Sequence, residues 1–273
     1  MVILYRTMIP KHYLLAAMCL LMTTGLSLYG QVSPSLFIVA DYMKVPPEKI
    51  NEYLQVEQTI WKPLHRQRID QGIIVGWYLY AVSFAGTESE FNYVVLNLYD
   101  NQEHLENPWS ADIIAEVHPK LEAQDIMAQT IKCRENVRSE LFYSIVVAPE
   151  VPLARPASYL QVNYMKVAPG NESSYERLEK DIWQPVHNEM VSSGRTAGWG
   201  LWAVLFPRGA GRPYQYCTLN AFSDFSYVFD LDYSSSFSKS HPDLDASEVA
   251  SETRDTRTVV RTELWELIDY EIQ

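Results

Sequence analysis

Residues 36 to 45 run almost unbroken in apolar side chains, with only Asp41 and Lys44 polar, and favour a strand closed by Pro46-Pro47. From Glu48 to about Gln71 the spacing becomes helical, and Gly72 is a suitable stop because it tolerates the left-handed backbone at a helix end. Two β-rich runs follow, about 73 to 84 and 91 to 99, joined by a polar loop that contains glycine. A helical stretch over about 101 to 135 is broken near His118-Pro119, and a last strand is expected from about 137 to 147. The predicted order is β-α-β-β-α-β.

That order then runs a second time. Tyr42-Met43-Lys44-Val45 recurs as Tyr164-Met165-Lys166-Val167, and Trp61-Lys62-Pro63-Leu64-His65 as Trp183-Gln184-Pro185-Val186-His187, both at an offset of 122. Gly72, Gly76 and Trp77 reappear as Gly194, Gly198 and Trp199. One extra residue in the next loop moves the offset to 123, and Leu96-Asn97 then matches Leu219-Asn220. Val137-Arg138-Ser139-Glu140-Leu141 against Val260-Arg261-Thr262-Glu263-Leu264 closes the match. So many rare residues in register identify an internal duplication. The expected parts are a first repeat at 36–148, a Pro-rich linker at 149–157 and a second repeat at 158–273.

A single unit of this kind covers only one face of its sheet with helices, and facing a second sheet solves the problem. The expected fold class is α+β: two tandem ferredoxin-like units packed sheet to sheet as a pseudo-twofold dimeric α/β barrel. In element order and duplication the chain resembles the dimeric α/β-barrel superfamily. That group includes the antibiotic-biosynthesis monooxygenases, heme-handling enzymes similar to chlorite dismutase, and NIPSNAP-like proteins. The resemblance extends over nearly all of the chain beyond its first thirty residues. It carries no catalytic signature of one member, so it transfers no site.

Residues 1 to 30 stand apart. They contain no Asp or Glu, and Arg6 and Lys11 precede the apolar run Leu14 to Met22. That run is too short for a good membrane span, and the pattern predicts a signal peptide cut near Gly30-Gln31. The expected location is periplasmic or secreted. Lipidation at Cys19 is the weaker alternative, because Met18 before it suits a lipobox poorly. Without this segment the chain carries 20 Lys+Arg against 34 Asp+Glu, a net charge near −14. Such acidity argues against a nucleic-acid backbone or an anionic membrane surface as partner. The remaining cysteines, Cys133 and Cys217, occupy non-equivalent places and are expected to be buried thiols rather than a bridge.

Four constellations could carry chemistry. In the closing strands Arg138, Glu140 and Phe142 share one face, as do Arg261, Glu263 and Trp265, and that face should look between the two sheets. Burying Arg and Glu there requires that they pair or meet a polar ligand. Trp77 and Trp199, with Asn97 and Asn220 on the next strand, could line and orient a ligand in the same pocket. A helical stripe of Tyr53, Glu57, Trp61 and His65, matched by Tyr175, Glu179, Trp183 and His187, reads either as a packed face or as an alternative polar site. Pro63 and Pro185 should kink that helix. His118 and His241 could approach a heme iron as in heme-binding relatives of this fold, although loop anchoring is the commoner role. No metal-ligand spacing, Gly-rich phosphate loop or nucleophile elbow occurs, so no metal and no cofactor is expected.

The function expected from these residues is binding of a small, partly aromatic ligand between the two sheets. A cofactor-independent monooxygenase-like enzyme is one alternative, and a structural or interaction protein with a filled barrel is another. A cavity of a few hundred cubic ångströms would favour the first two, and a packed interior the third. The sequence leaves the oligomeric state open.

Overall fold

The computed structural model describes residues 36–110, 112–149 and 156–273. The expected signal peptide, Cys19 and most of the expected linker, Pro152 included, lie outside the described residues. Among those described, no helix is long and apolar enough to cross a membrane.

Strand β1 (Phe37–Lys44) buries Ile38, Ala40 and Tyr42 on one face and Met43 on the other, so both its faces are covered. Helix α1 (Ile50–Val56) continues through a π-turn (Glu57–Trp61) into α2 (Lys62–Asp70). At the position where Pro63 is expected to kink the helix the structure has this widened turn. Proline has no N–H for the carbonyl one turn back, and the Lys62 N–H reaches five residues back to the Glu57 carbonyl. The chain leaves α2 through Gly72 at φ 71°, a backbone that favours glycine. Strands β2 (Gly76–Val82) and β3 (Tyr93–Tyr99) form an antiparallel hairpin. Two short helices, α3 (Ile113–Val117) and α4 (Ala123–Cys133), precede β4 (Glu135–Ala148).

The second series is β5 (Tyr159–Val167), α5 (Glu172–Leu178), a second π-turn (Glu179–Trp183) and α6 (Gln184–Ser192). It continues with β6 (Gly198–Phe206), β7 (Tyr216–Phe222), α7 (Tyr233–Ser240), α8 (Ala246–Thr256) and β8 (Arg257–Ile272). Here too the residue before the proline, Gln184, donates its N–H to the carbonyl five back, on Glu179.

All eight strands close into one antiparallel barrel in the order β1-β3-β2-β8-β5-β7-β6-β4. The two longest strands make the closure. β4 pairs with β1 over its first part and with β6 over its last, and β8 divides itself in the same way between β5 and β2. Every neighbour is antiparallel, so β4 and β8 run in the same direction and their matching residues reach the same end of the barrel.

The barrel interior is filled by alternate residues of the strands, among them Ile38, Tyr42, Leu96, Phe142, Val162, Trp202 and Trp265. The void left at its centre is about 20 Å³, enough for about one water molecule. The expected ligand space between the sheets is therefore occupied by large aromatic side chains. Two further apolar layers lie outside the barrel, under the helices of each half.

Candidate functional site

Along β4 and β8 the inward residues grade from packed centre to wet rim. Phe142 and Trp265 are fully enclosed, and Glu140 and Glu263 come next. The Arg138 and Arg261 side chains reach the rim at 20% and 40% exposure. Two tyrosines from the first strand of each half, Tyr42 and Tyr164, stand beside them. Phe91 packs edge-on against Tyr42 at 4.7 Å between ring centroids, and Tyr214 packs on Tyr164 at 4.6 Å. This end of the barrel is thus plugged by aromatic rings with two arginines and two glutamates set into the plug.

The β2–β3 and β6–β7 hairpins fold over this mouth with matching backbone bonds. Asn92 N–H donates to the Met43 carbonyl as Gln215 N–H donates to that of Met165, each at 3.0 Å. That register sets Ser89, Glu90 and Phe91 against Arg212, Pro213 and Tyr214. The side chains at these positions make the two halves differ. Arg138 meets two carboxylates, Glu90 at 2.5 Å and Glu140 at 3.7 Å, and its guanidinium lies over the rings of Tyr42 and Phe91. Glu140 also takes Arg212 and the Tyr214 hydroxyl, which donates at 2.7 Å. Arg261 pairs with Glu263 alone, over Phe91 and Tyr164. Glu263 Oε2 accepts from the Tyr164 hydroxyl and from Trp265 Nε1, both at 3.0 Å.

The outcome is two unequal clefts. The one beside Arg261 has a volume of about 480 Å³ and is lined by Val82, Phe84, Ser89, Phe91, Arg261 and Glu263 among others. The one beside Arg212 and Tyr214 has about 280 Å³. Residue pattern alone does not single out Arg212, Tyr214, Glu90 or Phe91. They sit in the loop where the repeat changes offset, and that break was the available signal.

Trp77, Asn97, Trp199 and Asn220 do not join this group. Register puts Trp77 opposite Asn97 and Trp199 opposite Asn220, on the helix-covered face of the barrel wall. The correction has a simple cause: a wall buried on both sides carries apolar residues on both parities, so alternation cannot say which face is inside. Their neighbours there are the helical stripe. His65 stacks on Trp77 at 5.1 Å and 15°, and its Nδ1 accepts from Arg68 at 2.9 Å. Arg68 is 1% exposed and also donates to Asn97 Oδ1, the Tyr99 hydroxyl and the Pro108 carbonyl. In the second half Met190 occupies the matching position, and His187 Nδ1 and Asn220 Oδ1 have no hydrogen-bond partner. Burial drives His65 well below its usual pKa and takes His187 down to about 3, so both rings are neutral at physiological pH.

The stripe's carboxylates are enclosed as well. Burial pushes Glu57 and Glu179 up to about 7, opposed by Arg134 and Tyr53 around Glu57 and by Tyr175 and Arg257 around Glu179. Arg134 Nε stands 3.5 Å from Glu57 Oε1, close enough for charge attraction but without a formed hydrogen bond. None of these groups faces a cleft. His118 and His241 each place Nε2 at 2.9 Å from a helix carbonyl, those of Ile60 and Ile182. A carbonyl only accepts, so each Nε2 carries the proton and anchors the loop to the helix, which removes that nitrogen as a heme-iron ligand. Cys133 and Cys217 are buried free thiols. Among the described residues no group of three or more His, Cys, Asp or Glu could hold a metal ion.

No protein-family model matches the chain, and no curated protein is significantly similar to it in sequence. A solved structure of a candidate monooxygenase from Fusobacterium nucleatum superposes with a TM-score of 0.58 at 12% identity, over 89% of this chain and 96% of that one. Another candidate monooxygenase, from Lactobacillus acidophilus, gives 0.53 at 9% identity over 88% and 97%. Likeness at such identity is one of fold. The chain shares with them the fold described above, a closed eight-stranded antiparallel barrel with helices outside it.

Proposed function

We propose that this chain is an exported tandem of two ferredoxin-like units that binds a small, partly aromatic molecule at the mouth of its barrel. The observation that carries the reading is the cleft of about 480 Å³ beside Arg261 and Phe91, a size typical of small-molecule sites. Its lining joins apolar surface from Val82, Phe84 and Phe91 to one rim guanidinium, the mixture that holds and orients a flat polar ligand. Because the centre is filled, this reading puts the ligand at the rim rather than between the sheets. The acid-free, basic-then-apolar first thirty residues support export.

Native mass spectrometry of protein recovered from its own host tests the reading. The expected result is a chain lacking about its first thirty residues that carries a small molecule, released by Ser89→Trp, which fills the cleft. A chain that carries nothing and offers no saturable site to aromatic probes sinks it.

The likeness of fold to two candidate monooxygenases supports a second reading, a cofactor-independent monooxygenase. There the substrate carbanion supplies the electrons to dioxygen; one oxygen atom enters the substrate and the other leaves as water. Arg261 would steady the enolate oxygen. Oxygen uptake with an activated aromatic methylene compound, abolished by Arg261→Met, separates enzyme from binder. The filled barrel centre supports a third reading, a purely structural protein, and the cleft at the rim is what that reading leaves without a use.

A further inference from the structure

We infer that the Arg261 cleft takes a carboxylate-bearing ligand, one per chain, whose carboxylate stands on Arg261 where Glu90 stands on Arg138. The inference rests on the mouth-binding reading above and names its ligand class. The two arginines occupy matching places at the same barrel end, and each has the glutamate two residues on as a partner. Arg138 has a second carboxylate from the hairpin, Glu90. The matching hairpin residue for Arg261 is Pro213, which has no side-chain acceptor.

A guanidinium has five N–H donors, and one carboxylate cannot occupy them all. Among the described residues Glu263 is the one carboxylate in contact with Arg261, whose side chain is 40% exposed on the wall of the cleft. Glu263 itself offers little to a ligand, since Tyr164 and Trp265 already donate to it. What Arg261 lacks is the second carboxylate that Arg138 has in Glu90, and the first half shows which acceptor this arginine site takes. Glu90 also lines the cleft, but its carboxylate is held on Arg138, which offsets its repulsion of an incoming anion. The Phe91 ring beneath the Arg261 guanidinium, 5.0 Å from its centre, gives an aromatic acid a surface to pack on.

The other cleft, lined by Arg208 and Arg212, is smaller, and its Arg212 is drawn inward. Arg212 and the Tyr214 hydroxyl sit on Glu140, where Ser89 and Phe91 leave the first-half hairpin short. The Arg261 cleft, the larger of the two and without such an inward arginine, is the seat.

Benzoate and benzamide, equal in shape and different in charge, are the probes, followed by titration calorimetry and ligand-observed NMR. Benzoate is expected to bind at one site and benzamide about tenfold more weakly, the loss of one charge-assisted contact. Pro213→Glu should give Arg261 the carboxylate it lacks and abolish benzoate binding without lowering the melting temperature. Arg261→Met should abolish it by removing the seat. Benzoate binding that survives both variants overturns the inference. Equal binding of the two probes, both lost in Ser89→Trp, overturns the carboxylate seat and leaves the mouth-binding reading standing. Failure of both probes to bind at millimolar concentration, with no copurified molecule, overturns both.

Discussion

His187 lies flat on Trp199, with ring centroids 4.4 Å apart and planes 6° from parallel. The stack needs a flat ring, and the buried Nδ1 has no hydrogen-bond partner. Burial holds the folded pKa near 3 against an ordinary 6.5, so the unfolded chain binds the extra proton between those values. This group therefore gives stability that is present above about pH 6.5 and lost as pH falls toward 3. His187→Phe should stay within about 1 kcal/mol of the parent near neutral pH and be less acid-sensitive in urea unfolding. His65→Phe, which takes an acceptor from buried Arg68, should cost about 1–3 kcal/mol.

Glu57 and Glu179 act in the opposite sense. Their folded pKa is raised from 4.5 to about 7, so the folded state holds their protons longer. Their contribution is complete below pH 4.5 and is lost as pH rises through about 7. Each such shift corresponds to about 3 kcal/mol. Unfolding free energies measured across this range for Glu57→Gln, with the parent as reference, should show the slope from this site removed. An unchanged slope would mean the carboxylate is ionised in the fold.

Arg68→Met copies into the first half the residue that the second half has at Met190. The change leaves four acceptors without their donor, and breaking so enclosed a set should cost about 3–5 kcal/mol in denaturant titration. Met190→Leu should cost under about 1.5 kcal/mol.

Removing either member of the mouth ladder should have unequal effects. Glu140 is fully enclosed and anchors Arg138, Arg212 and Tyr214, so Glu140→Leu should cost about 3 kcal/mol. Arg261 is half-exposed, and Glu263 keeps two donors without it, so Arg261→Met should cost under about 1 kcal/mol. A loss of about 3–5 kcal/mol at Arg261 in thermal or urea melts would assign it to structure rather than to a ligand.

Expressed alone, residues 36 to 148 would lose the β2–β8 and β4–β6 pairings and expose the inner faces of Ile38, Tyr42, Leu96 and Phe142. At about 25 cal/mol per Å² of apolar surface left wet, the fragment should aggregate or pair with itself. A soluble monomer in light scattering would contradict the shared core.

The elements were legible because their signals are local. Helical spacing from Glu48 ends at Gly72, which adopts the left-handed backbone, and alternation in β4 and β8 places Arg138 and Arg261 inside the barrel. Parity failed at Trp77 and Asn97, whose strands are apolar on both sides. Arg68 gave no sign, since a lone Arg on a helix is ordinarily solvated; its burial comes from Asn97, Tyr99 and Pro108, all distant in sequence. The unequal clefts were hidden for a related reason. Glu90 and Pro213 gain meaning only when two hairpins are laid on the same backbone bonds.

Both clefts belong to one covalent chain. In an assembly of two identical subunits every substitution lands twice, so a change that opens one side for a ligand also weakens the other. Here a proline can stand at position 213 while a glutamate stays at position 90, and each side inherits its own residue. One side of the plug can thereby keep its ion pairs while the other loses a carboxylate and opens a cleft, a division that a symmetric pair has no way to encode.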